Sequence, residues 1–129
     1  MENLNQLIDR LAGVFLPAAK RNQSYFVNDV PSTLSLDANP HYVAPVVSRM
    51  ISTVVNHVKN SCIRFSAKKH GHIVVLEIQE SGSVNGFALA SELQQVNRLA
   101  EKIGGYLSIS LPKAETTSIA FSFPNVAMS

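Results

Sequence analysis

Apolar residues recur with a helical period from the start of this chain. Leu4, Leu7, Ile8, Leu11 and Phe15 share one stripe, and Lys20-Arg21-Asn22 supplies a basic, polar stop. The pattern then changes to a short β-rich run, Ser24 to Val30, which Pro31 ends. After a polar loop the helical period returns. Val43, Val47, Met50, Val54 and Val58 form a stripe flanked by Ile51 and Val55, with Asn39 as N-cap and Pro40 at the first helical position. Pro45 stands close enough to the first turn to distort it. At 100° per residue, Arg49, Ser52, Asn56, Lys59 and Asn60 fall together on the opposite face. Two β-rich runs, SCIRFSA and HIVVLEIQ, flank Lys68-Lys69-His70-Gly71 and predict a hairpin. A third helix is predicted from about Leu89 to Ile103, buried through Leu89, Leu93, Val96, Leu99, Ala100 and Ile103. Gly104-Gly105 is its stop. YLSISL and TSIAFSF predict a second hairpin around Pro112-Lys113-Ala114-Glu115. The order α-β-α-β-β-α-β-β, with alternating strands, implies a two-layer α/β sandwich: a mixed sheet with helices on one face.

Composition narrows the class but not the chemistry. A chain of 129 residues is expected to form one domain, 1–129, with a sizeable core. With 46% hydrophobic and 16% charged residues it is not a disordered segment. A net charge of +2 is too balanced to suggest a nucleic-acid partner. A single cysteine, Cys62, excludes an intrachain disulfide and a multi-cysteine metal site. No apolar run is long enough to span a bilayer, and the polar start MENLNQLIDR is unlike a signal peptide. A cytoplasmic setting without membrane contact is expected. His70-Gly71-His72 reads as a surface turn rather than a metal pair, because no cysteine or acidic cluster completes a ligand set.

This element order and several local strings resemble the ATP-binding catalytic domain of sensor histidine kinases, within the GHKL superfamily. The resemblance runs from about Leu7 to Pro124. Its best stretch is VNRLAEKIGGYLSISLPKAETTSIAFSFP, which is similar to the family's helix, Gly-Gly turn, strand, turn and final strand ending in Pro. The fold it implies is the GHKL (Bergerat) sandwich.

The resemblance also implies site residues. Asn56-His57-Val58-Lys59-Asn60-Ser61 is similar to the family's Asn-bearing motif. There the Asn holds the magnesium that bridges the nucleotide phosphates, so Asn56 becomes the candidate metal ligand and Lys59 a candidate phosphate contact. Taken without the resemblance, both read as a solvated helix face. Glu80-Ser81-Gly82-Ser83-Val84 matches the family's D-x-G-x-G, whose Asp reads the adenine amino group. Glu80 and Gly82 are thus candidate nucleotide contacts, and a polar turn is the alternative.

Four departures imply a degenerate site. His57 replaces a small alanine. Val84 replaces the second glycine. The helix start, taken as Ala90-Ser91-Glu92-Leu93, lacks the family's glycines and puts Glu92 in the first turn, where it would repel a triphosphate. Few residues remain between Gly82 and Leu93 for a lid. The first 40 residues also hold no histidine, so a complete self-phosphorylating kinase of the usual design is not expected. The implied role is a histidine-kinase-like ATPase domain of two-component-type signalling. It would have weak or lost ATP and magnesium binding, and its partner would be a kinase, a response regulator or its own dimerisation domain. The alternative is a working Mg-ATP-binding domain of a histidine or serine protein kinase.

Overall fold

The amino-terminal stripe folds as helix, but in two pieces, α1 (Leu4–Val14) and α2 (Leu16–Arg21), where a single helix was expected. Pro17 is the reason. It lacks the N–H that would bond the Gly13 carbonyl, and it sits instead in the first turn of α2. Asn3 and Gln6 form a capping box, each side chain accepting from the other's backbone N–H. The structure is a computed structural model. It describes residues 2–81, 83–84, 86–110 and 116–127, without the side chains of residues 83, 84, 86 and 87.

The first strand, β1 (Tyr25–Asn28), is shorter than the run Ser24 to Val30. Its end is set by Asn28, whose Oδ1 accepts from the Val30 N–H and turns the chain. Next come α3 (Pro40–His57) and β2 (Val58–Lys59). Asn39 caps α3 through the His41 N–H, and the helix runs on through Pro45. The predicted helical face continued to Asn60; the helix instead stops at His57. Valine-rich sequence extends readily, and Asn60 takes a left-handed conformation (φ 52°) that asparagine tolerates.

The hairpin β3 (Cys62–His70) and β4 (Ile73–Glu80) turns on Gly71-His72 alone, so Lys68, Lys69 and His70 lie in the strand and not in the turn. Gly71, at φ 63°, takes the conformation that glycine adopts without strain. β5 (Ser83–Val84) precedes α4 (Gly86–Lys102). This helix starts one turn before the predicted Leu89, since Gly86 and Phe87 extend it outside the apolar stripe. β6 (Tyr106–Ser110) and β7 (Thr117–Pro124) complete the chain; the predicted turn at Pro112–Glu115 lies outside the described residues.

The sheet order is β1-β3-β4-β7-β6, with β1 parallel to β3 and the other pairs antiparallel. Ile63, Phe65, Val74, Leu76, Ile78, Ile119, Phe121 and Phe123 alternate onto one face, where Leu7, Ile8, Val47, Met50, Ile51, Val54 and Leu89 cover them. The other face carries half-buried or exposed Ser66, Glu77, Ser118, Ala120 and Ser122. This is the expected two-layer sandwich with helices on one face.

Candidate functional site

The candidate residues converge where α3 ends and the sheet begins. The small ladder β2–β5 pairs Val58 with Val84 and Lys59 with Ser83. It lays the segment from Asn56 to Ser61 against the segment from Glu80 to Val84. Asn56 is exposed in the last turn of α3, as the helical face implied. Lys59 is also exposed, but on β2 and not on the helix. Gly82 lies outside the described residues, and so does the Val84 side chain.

Glu80 is the buried member. Strand alternation puts it on the core face with Ile78 and Leu76, and it is 1% exposed. A carboxylate there needs donors. Ser61, fully buried, donates its hydroxyl to Glu80 Oε2 at 3.2 Å and accepts from the Ser81 N–H at 3.1 Å. The Ser61 N–H in turn donates to Ser24 Oγ at 3.2 Å. The sequence motif contained Ser61 without a role for it, and Ser24 carried no signal at all. Asn22 holds the same corner from below. Its Nδ2 donates to the Val55 carbonyl at 2.8 Å, and its own carbonyl accepts from the Asn60 N–H at 2.9 Å.

His57, the residue in the place of a small alanine, joins the two helices. Nδ1 lies 2.7 Å from the Thr53 carbonyl, which only accepts, so Nδ1 carries the hydrogen. Nε2 then faces Glu92 Oε1 of α4 at 3.4 Å, an ion pair whenever the imidazole is protonated. Glu92 is the seventh residue of α4, not a first-turn residue as the sequence implied, and Gly86 opens the helix that was expected to begin without glycine. The first-turn repulsion is therefore replaced by a carboxylate reaching across to α3.

These residues offer an amide and an ammonium group in solvent, and a buried carboxylate that can accept from an amine. Asn56 has the oxygen chemistry that suits a hard cation. The His57–Glu92 contact links the last turn of α3 to α4. Among the described residues no group of three His, Cys, Asp or Glu side chains is placed to hold a metal. His70 is exposed at the end of β3 and His72 in the turn after it, as a surface hairpin implies. No helix among the described residues is long and apolar enough to cross a membrane.

No protein-family model matches the sequence, and no curated protein is similar to it. Solved structures are similar in fold. The catalytic domain of the histidine kinase ThkA superposes with a TM-score of 0.77 at 14% identity, covering 97% of this chain and 94% of that one. ThkA has also been solved in complex with the response regulator TrrA. A histidine kinase from Burkholderia phymatum STM815 gives 0.79 at 14% identity, over 98% of this chain and 70% of that one. Full-length ShkA in complex with AMPPNP gives 0.77 at 14% identity, and there this chain spans only 31% of the longer protein. With its five-stranded mixed sheet and helices on one face, the chain has the fold of the histidine kinase catalytic domain.

Proposed function

We propose that this chain is a histidine-kinase-like ATPase domain of two-component-type signalling, a single domain over 1–129, whose nucleotide site has degenerated and which acts by docking a signalling protein. The observation that carries this reading is the contact between His57 Nε2 and Glu92 Oε1. By the resemblance, phosphates and magnesium would lie between Asn56 and the start of α4. A bulky imidazole and a carboxylate now meet between those two helices. Glu92, in the second turn of α4, adds a carboxylate beside His57, the neighbour of Asn56, so a triphosphate drawn to Asn56 would meet negative charge close by. The complex of ThkA with a response regulator supports a protein of that class as partner. A cytoplasmic setting goes with this role.

One observation favours a second reading, a working Mg-ATP domain. Glu80 is held in place by Ser61, and Asn56 and Lys59 are free to reach solvent above it. In that reading Glu80 and Gly82 meet adenine, Asn56 holds magnesium and Lys59 approaches phosphate. ShkA, of the same fold, was solved with AMPPNP. Bound Mg-ATP would supply the phosphoryl group, and these residues would orient it.

Calorimetric titration with ATP, with and without magnesium, separates the two, together with the melting temperature. The degenerate reading expects no heat and an unmoved melt at several millimolar ATP. A site with a dissociation constant a hundredfold below the ATP concentration would add about 2.7 kcal/mol of stability. For a domain of this size that raises the midpoint by roughly 10 °C. A magnesium-dependent rise of that kind, removed by Asn56→Ala, would establish the second reading instead.

A further inference from the structure

At the other end of the sheet a strand runs past its partner. β1 pairs with β3 only from Cys62 to Phe65, and its last bond is from the Asp29 N–H to the Phe65 carbonyl. β3 continues to His70. From Ser66 onward it pairs with β4 on one side, and among the described residues no strand lies on the other. The Ser61 and Phe65 carbonyls both point toward β1. The same parity turns the N–H and C=O of Ala67 and Lys69 toward this open side. Among the described residues, no hydrogen bond reaches these groups from that side.

A groove of about 490 Å³ follows this edge, walled by the loop Pro31, Thr33, Leu34 and Ser35 and by Ala67–His70. The wall is held firmly. Asn125, 3% exposed, accepts from the Asp37 and Ala38 N–H groups at 2.7 and 3.0 Å and donates to the Ser35 carbonyl at 2.9 Å. Its own N–H donates to the His72 carbonyl at 2.7 Å, tying the loop to the hairpin turn. Leu36 and Ala38 are buried below. The groove therefore needs little ordering before it can bind.

The side chains that line it include two lysines and no acid. Lys68, Lys69 and His70 are exposed, and neither lysine pairs with a carboxylate among the described residues. Asp37, the acid on the facing loop, accepts from the Ser35 hydroxyl at 3.3 Å. Lys68 and Lys69 are successive strand residues, so they project to opposite faces of the sheet. Cations separated in this way suit carboxylates spaced along an extended chain better than one compact anion. Three basic side chains on a chain of net charge +2 are also too few for the phosphate contacts of a nucleic acid.

We propose that the edge of β3 from Ala67 to His70, with the loop 31–35, is a docking groove for an extended acidic segment of a partner protein, added to the sheet as a strand. Backbone pairing at Lys69 would give affinity and the lysines would select acidic sequence. Glu80 pairs with Ile63, so the groove begins four residues along β3 from it and ends seven residues along, about 13–23 Å away at about 3.3 Å per residue. This inference gives the docking role proposed above its place, and its test is independent of nucleotide.

The probe is a short fluorescein-labelled peptide alternating glutamate with valine, titrated by anisotropy at low salt. Its lysine–valine counterpart and a single-stranded oligonucleotide serve as controls. Binding of the acidic peptide alone is expected, weakened at least tenfold by Lys68→Glu with Lys69→Glu. Both lysines are exposed, so the variant's melt should match the parent's. Amide shifts should concentrate at Ala67–His70 and Thr33–Ser35. Methylating alternate peptide nitrogens should abolish binding in one parity and spare it in the other, as strand addition requires. Absent binding at millimolar peptide, unchanged affinity in the charge-reversed protein, indifference to methylation in both parities, or tighter oligonucleotide binding would each overturn the proposal. Lost ATP binding with no peptide binding would sink the groove and leave the degenerate-site reading standing.

Discussion

At the scale of single residues, the corner under the candidate site rests on one hydroxyl. Ser61 both donates to a buried carboxylate and accepts from the Ser81 N–H, so removing it takes two bonds from a place with little water. Ser61→Ala is expected to cost about 1–3 kcal/mol, read as a lower urea midpoint with an unchanged slope. In the Glu80→Gln background the same substitution should cost less, because a neutral amide depends less on that donor than a carboxylate does. An unchanged midpoint for Ser61→Ala would mean that the contact is not formed in solution. Of this corner, Glu80 was legible in the sequence through the resemblance of Glu80–Val84 to the family's D-x-G-x-G motif. Ser24 was not, because a serine at a strand boundary fits a turn as well as a core contact, and the pairing joins residues far apart in the chain.

At the scale of elements, hydrophobic period located every long helix and strand, while local chemistry set their ends. Pro17 splits the first helix, Asn28 shortens β1, and the β2–β5 ladder takes Val58 and Lys59 out of α3. Two-residue ladders carry no period, so β2 and β5 had no signal. The Gly104-Gly105 stop was legible because a glycine pair after an apolar stripe is a helix terminus. What the sequence did not reveal is how close β7 comes. A Cβ on Gly105 would run into the Ser122 carbonyl and lie 3.1 Å from Phe121 Cε1. Gly105→Ala should therefore destabilise by about 1–3 kcal/mol as the turn into β6 and β7 are forced apart. Gly13, in the last turn of α1, has nothing within 4 Å of its Cβ position. Gly13→Ala should stabilise by about 0.5–1 kcal/mol. Thermal melts of the pair are expected to move in opposite directions; a shared direction would contradict the close approach of Gly105 to β7.

At the scale of the whole molecule, the sheet separates two ends with different chemistry. One end gathers Asn56, Lys59 and Glu80, and the other carries the basic groove along β3. The fold was legible because element order and one-sided alternation leave few arrangements. The His57–Glu92 contact was not, because it joins two helices and no local pattern encodes it. That contact is testable as the barrier to nucleotide. His57→Ala with Glu92→Gln removes the imidazole and the negative charge together. The Glu92 side chain is 55% exposed and its change should cost little, whereas the His57 ring is 15% exposed and bonded to the Thr53 carbonyl, so the variant should lose about 1–3 kcal/mol, mostly from His57. If the contact is what closes the cleft, the variant should bind Mg-ATP at least tenfold more tightly than the parent. Asn56→Ala in that background should abolish the gain, since the magnesium ligand would be missing. A variant that folds and still ignores ATP would show that this contact is not the barrier to nucleotide.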